Sequence, residues 1–200
     1  MSPSAHDHVT DHAQSIAYPS PGARARQYEY SGHPHVVVLF GATGDLSRRK
    51  LLCGLGYLVA SDLNADMQVV GTGLDDMSED EFREFARRSI EAVGARKLTA
   101  EQWAKFAPRL HYVPSSAGPE ALAAKVIDCE AELGDGVRRL HYLSVPPKAA
   151  PAVINTLREA ELIERSRVIM EKPFGEDLES AIRLNNFLHE TFAEEQIFRI

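Results

Sequence analysis

Long apolar runs are missing from this 200-residue chain. The longest, Val36 to Phe40, is five residues, against the ~20 that a membrane-spanning helix needs. That leaves no room for a membrane partner. Cysteine is nearly absent: Cys53 and Cys129 stand far apart with no CxxC spacing. They read as two reduced thiols, not as a disulfide or a zinc site. Positive charge is in deficit, with 22 Lys and Arg against 29 Asp and Glu and a net charge of -7. Nowhere do basic residues form the stripe that replaces phosphate counterions, so a nucleic-acid partner is excluded. The opening MSPSAHDHVTDHAQ has neither the basic start nor the apolar centre of a secretory leader. Together with the reduced cysteines, this predicts a cytoplasmic protein.

What is present suits one packed α/β domain, because 44% of the residues are hydrophobic. Residues 1–33 are rich in Ser, Pro, His, Ala and Asp and carry no apolar period, which predicts a loosely attached tail. His6, His8 and His12 in that stretch lack the Cys or carboxylate spacing of a metal site. From residue 34 to 200 the pattern is that of a dinucleotide-binding domain. Short β-branched runs begin at His35, Met67, Leu110, Arg139, Arg167 and Gln196, and helical periodicity fills the gaps between them. Ser78 with Glu81, and Thr99 with Gln102, predict capped helix starts. Leu51, Leu52, Leu55, Leu58 and Val59 predict one apolar helix face. Strands that alternate with helices imply right-handed crossovers and a doubly wound parallel sheet, Rossmann-like in class. The last strand has no element after it, which predicts a chain cut at its sixth strand.

Between the first strand and first helix lies Gly41-Ala42-Thr43-Gly44-Asp45-Leu46-Ser47. A pyrophosphate at such a junction meets free helix N–H groups and the positive end of the helix dipole. Gly41 permits a tight turn, Gly44 a close backbone approach, and Thr43 and Ser47 offer hydroxyls. The G-x-G-x-x-G pattern is not met, since Thr43 and Leu46 fill its second and third glycine positions. Short-chain dehydrogenases also carry a GATG turn, but they need a Tyr followed four residues later by Lys, and here Tyr57, Tyr112 and Tyr142 are followed by Ser61, Ser116 and Pro146.

Gly41 to Leu51 resembles the G-x-x-G-D-L-[AS]-x-[KR]-K-[LI] signature of the glucose-6-phosphate dehydrogenases. Glu171-Lys172-Pro173-Phe174-Gly175 is similar to that family's second hallmark, and Gln196 to Ile200 to the lead-in of its R-I-D-H-Y-L-G-K segment. The resemblance implies oxidation of glucose 6-phosphate to its lactone, the first step of the pentose phosphate pathway, with a hydride passed to NADP. It implies a second α+β substrate domain and a homo-oligomer at full length, both lying outside this stretch. By motif match, Gly41, Ala42, Thr43, Gly44, Asp45, Leu46, Ser47 and Arg48 hold the cofactor. Lys172 reaches cofactor and sugar, and Lys50 supports the substrate side. The catalytic base is expected beyond Ile200, so these 200 residues are expected to be inactive alone. One departure concerns the cofactor: Leu74 takes the place of the Arg that grips the 2′-phosphate, and Asp75 and Asp76 follow. NAD is therefore an open alternative. A non-catalytic, redox-sensing NAD(P) module and a related sugar dehydrogenase are the other readings.

Overall fold

The computed structural model describes residues 33–61, 66–93 and 97–200; apart from His33, the stretch expected to form a tail lies outside the described residues. The Val36 to Phe40 run forms β1 (His35–Phe40). Val36, Val38 and Phe40 enter one core cluster while Val37 and Leu39 enter another. Side chains alternate along a strand, so a strand that is apolar at every position needs cover on both faces.

Five more strands complete the sheet: β2 (Met67–Gly73), β3 (Leu110–Pro114), β4 (Arg138–Leu143), β5 (Ser166–Met170) and β6 (Ile197–Arg199). Their order is β3-β2-β1-β4-β5-β6, and every pairing is parallel. Helices α1 (Leu52–Ala60), α2 (Glu79–Val93) and α3 (Ala100–Phe106) cover one face with Leu52, Val59, Phe82, Ala86 and Phe106. On the other face, α4 (Gly118–Leu133), α5 (Ala150–Glu159) and α6 (Leu178–His189) contribute Leu122, Val126, Ile154, Leu157, Leu184 and Leu188. This is the doubly wound, Rossmann-like α/β arrangement. Among the described residues no helix is long and apolar enough to cross a membrane.

Both expected capping boxes form. The Ser78 amide donates to Glu81 Oε2 at 2.8 Å, and the Thr99 and Gln102 side chains exchange bonds with each other's amides. The first helix departs from expectation. It opens with a π-helical turn over Ser47–Leu51, and the buried line that follows is Leu52, Gly56 and Val59, while Leu58 faces solvent. Six positions on from Leu52 is about 240° around the helix, off the buried face. β4 also stops at Leu143, two residues earlier than its apolar run suggests, because Pro146 and Pro147 turn the chain out of the sheet.

Three polar groups tie the sheet to the segments that cover it. Arg139 makes a bidentate pair with Glu130, at 2.7 and 3.0 Å. His111 on β3 lies between Glu79 (2.8 Å) and Gln68 (3.1 Å), and Lys125 of α4 reaches the same Glu79 at 2.9 Å. His141, at the centre of β4, is fully buried with Nε2 2.8 Å from the Leu162 carbonyl oxygen. Burial pushes the His141 pKa down from 6.5 to about 4, so the folded chain holds it neutral. The unfolded chain takes up this proton first as pH falls. The stability it protects is complete above about pH 6.5 and is lost on acidification toward pH 4, by up to ~3 kcal/mol. Urea unfolding at stepped pH should show this loss, and His141→Gln, which keeps a donor but does not titrate, should flatten that acid limb.

Candidate functional site

β1 delivers the chain to Gly41 at the middle of the sheet, where the connections part to opposite faces. Gly41 has φ +73°, and a β-carbon there would stand 2.3 Å from the Ser144 carbonyl oxygen. Only glycine fits that conformation and that approach. The amides of Gly41 and Ala42 both donate to the Thr72 carbonyl, at 2.9 and 3.0 Å, and the Gly44 amide closes the turn on the Gly41 carbonyl at 2.9 Å. Arg48 is the first residue to bond back into the helix, its amide 3.0 Å from Gly44 O. The amides of Asp45, Leu46 and Ser47 are therefore the first-turn donors that a helix leaves uncommitted. They mark the positive end of the helix dipole, where an anion is favoured.

A cleft of about 620 Å³ opens beside this turn, at the carboxyl ends of β1, β2, β3 and β4. Gly41, Thr43 and Gly44 form its floor, and Val113, Pro114, Leu122, Val145 and Val153 give it apolar walls. Asp75 stands at its rim. The Thr43 hydroxyl donates to Asp75 Oδ2, and the Tyr112 hydroxyl donates to the Asp75 carbonyl at 2.8 Å. Tyr112 stacks on Phe82 with ring centroids 4.6 Å apart. Its phenol is pushed up to about 12 by burial and by the negative charge of Asp75 and Asp76, so it remains a donor across the neutral range.

A second hollow of about 240 Å³ lies at the ends of β4 and β5, lined by Leu46, Ser144 to Pro147, and Glu171 to Pro173. Ser144, Val145 and Pro146 also line the larger cleft, so the two spaces share one wall. Glu171 accepts a hydrogen bond from the Tyr142 hydroxyl, whose pKa is pushed up by burial and by that bond. Lys172 is exposed, its amide bonds the Ile200 carbonyl at 3.1 Å, and the Lys172–Pro173 peptide is cis.

Of the residues singled out in the sequence, Gly41, Thr43 and Gly44 line the large cleft, and Leu46 and Lys172 the small hollow. Ala42 and Ser47 are buried beneath the turn, and the Ser47 hydroxyl donates to Gly41 O at 2.8 Å. Asp45, Arg48 and Lys50 are exposed and lie outside both linings. Asp45 pairs with Arg49 at 2.8 Å, and the Arg48 guanidinium sits 6.0 Å from the centre of the Phe85 ring. Sequence reasoning missed Tyr112 and Tyr142. Each lies near the carboxyl end of a strand, which sends its hydroxyl to the ligand edge of the sheet, and that placement was the available signal. Gly41→Ala should destabilise the fold by at least ~2 kcal/mol, through left-handed strain and the carbonyl clash, and should close the floor of the cleft. Thermal unfolding measures the first effect and dinucleotide titration the second.

Known proteins share this arrangement. A family described as "Glucose-6-phosphate dehydrogenase, NAD binding domain" matches residues 38–200. Glucose-6-phosphate 1-dehydrogenase 1 of Mycobacterium tuberculosis is 35% identical over 170 residues, which covers 84% of this chain and 35% of that protein. The Chlamydia pneumoniae glucose-6-phosphate 1-dehydrogenase is 33% identical over 180 residues, with the same coverage. The crystal structure of glucose-6-phosphate 1-dehydrogenase from Mycobacterium avium superposes with a TM-score of 0.72 at 32% identity, over 84% of this chain and 36% of that one. A glucose-6-phosphate dehydrogenase in complex with its substrate glucose-6-phosphate gives the same TM-score at 31% identity and the same coverage. This chain thus spans about a third of the length of the relatives it matches. With the sheet order, the glycine turn and these matches in agreement, the chain belongs to the glucose-6-phosphate dehydrogenase family, in the region of its NAD-binding domain.

Proposed function

We propose that residues 34–200 form the cofactor-holding domain of a glucose-6-phosphate dehydrogenase. In that reaction C1 of glucose 6-phosphate is oxidised to the lactone, and the bound nicotinamide dinucleotide supplies the hydride acceptor. One observation carries the proposal: Gly41, Thr43 and Gly44 set a helix start against a crevice whose wall from Ser144 to Pro146 also borders the hollow of Lys172.

The residues suit that cargo. The positive helix start that follows Gly41, Ala42, Thr43 and Gly44, with Leu46 at the small hollow, would take the pyrophosphate oxygens, while Asp45 and Ser47 complete that turn. Apolar walls and a polar rim suit the adenosine half in the large cleft. Lys172, at the end of β5, would hold the sugar beside the cofactor and offer positive charge to its oxygens. Arg48 and Lys50 are assigned by motif match alone, as positive charge on the exposed side of the helix start. NADP is the cofactor that the resemblance favours. A cytoplasmic setting and assembly as a homo-oligomer complete the proposal, on the reduced cysteines and the same resemblance.

By the same resemblance the base for the C1 hydroxyl proton is expected beyond Ile200, so binding without turnover is the expected behaviour of the 200 residues. Calorimetry with NAD and NADP should show saturable binding. Adding glucose 6-phosphate should then produce no reduced nicotinamide. A chain that folds by circular dichroism yet binds neither dinucleotide would sink the proposal.

A further inference from the structure

We infer that Asp75 makes the large cleft select NAD over NADP, an inference that rests on the dinucleotide-binding reading of that cleft. Among the described residues, Asp75 is the one charged side chain in the lining, which holds no Lys, Arg or His. It follows the carboxyl end of β2. In doubly wound sheets an acidic residue there accepts from the ribose 2′-hydroxyl of NAD, whereas NADP needs a nearby cation for its 2′-phosphate.

The carboxylate is held for the first task. Thr43 donates to Oδ2, and Tyr112, itself stacked on Phe82, anchors the backbone carbonyl of Asp75. Oδ1 is left to accept from a ribose hydroxyl. The bond also ties the ribose-reading residue to the glycine turn, so the groups for ribose and pyrophosphate are set together before any ligand arrives.

For the second task the cleft is wrongly charged. A 2′-phosphate has no proton to give the carboxylate at neutral pH and brings negative charge against it. Leu74, beside Asp75 in the same lining, is 94% exposed with nothing ionic to offer. Arg48 is a cation of the same helix start, but its guanidinium lies over Phe85 and outside the lining. Arg49 is paired with Asp45 at 2.8 Å. Asp76, exposed beside Asp75, adds negative charge.

The test is calorimetric titration of the 200-residue chain with NAD and with NADP, at low and at raised salt. NAD should bind about tenfold more tightly at low salt, and the gap should narrow as salt screens the repulsion. Asp75→Asn, which removes the charge but keeps an acceptor for Thr43, should bring the two affinities within about threefold. Leu74→Arg combined with Asp75→Ser should reverse the preference. If the unmodified chain binds NADP as tightly as NAD, or more tightly, the inference is overturned while the cleft assignment stands. If the folded chain binds neither, the cleft assignment itself fails and takes the inference with it. If the unmodified chain prefers NAD but a folded Asp75→Asn chain keeps the full preference, the assignment to Asp75 is overturned while the cleft assignment stands.

Discussion

Gly41 crosses the end of β4 so closely that a single added carbon would lie 2.3 Å from the Ser144 carbonyl oxygen. The geometry of the crevice follows from that passage. With no side chain in the way, the chain leaves the sheet through a left-handed residue and turns at once into helix, so the positive helix start lies beside the strand ends. The same passage presses the glycine turn against the segment that walls both hollows. One backbone contact thus fixes how the glycine turn sits against the segment that borders both hollows.

Around that contact, short hydroxyl links keep the carboxyl edge of the sheet in place. Ser47 reaches the Gly41 carbonyl, Thr43 the Asp75 carboxylate, Tyr112 the Asp75 backbone and Tyr142 the Glu171 carboxylate. The first closes the glycine turn on its own helix start, and the other three join segments about thirty residues or more apart. Loops so anchored lose little further freedom when a ligand enters, which is how a site built from strand ends becomes specific.

Much of this was legible in the residues. β1 was readable because every position from Val36 to Phe40 is apolar, a demand that only a strand covered on both faces meets. The capping boxes at Ser78 and Thr99 were readable because their partners lie three residues away. Harder to read was whatever depends on contacts between distant segments. The exposure of Leu58 follows from where the helix face settles after a π turn that no local preference announces. Thr43 and Asp75 are 32 residues apart, and Tyr142 and Glu171 are 29 apart. Such pairs meet only through the strand order. A motif also could not tell which of its residues face the cleft and which support it from below, as Ala42 and Ser47 do.

The central pairing of the sheet joins His35 to Arg138, with about a hundred residues between them. On a growing chain, β1 therefore emerges early and acquires β2 on one edge, yet its other edge stays open until β4 has been made. The most apolar run in the sequence is thus the one that waits longest for its second neighbour. Folding of this domain is bound to a late, non-local event, with the slow closure and exposure to misassembly that such topologies carry.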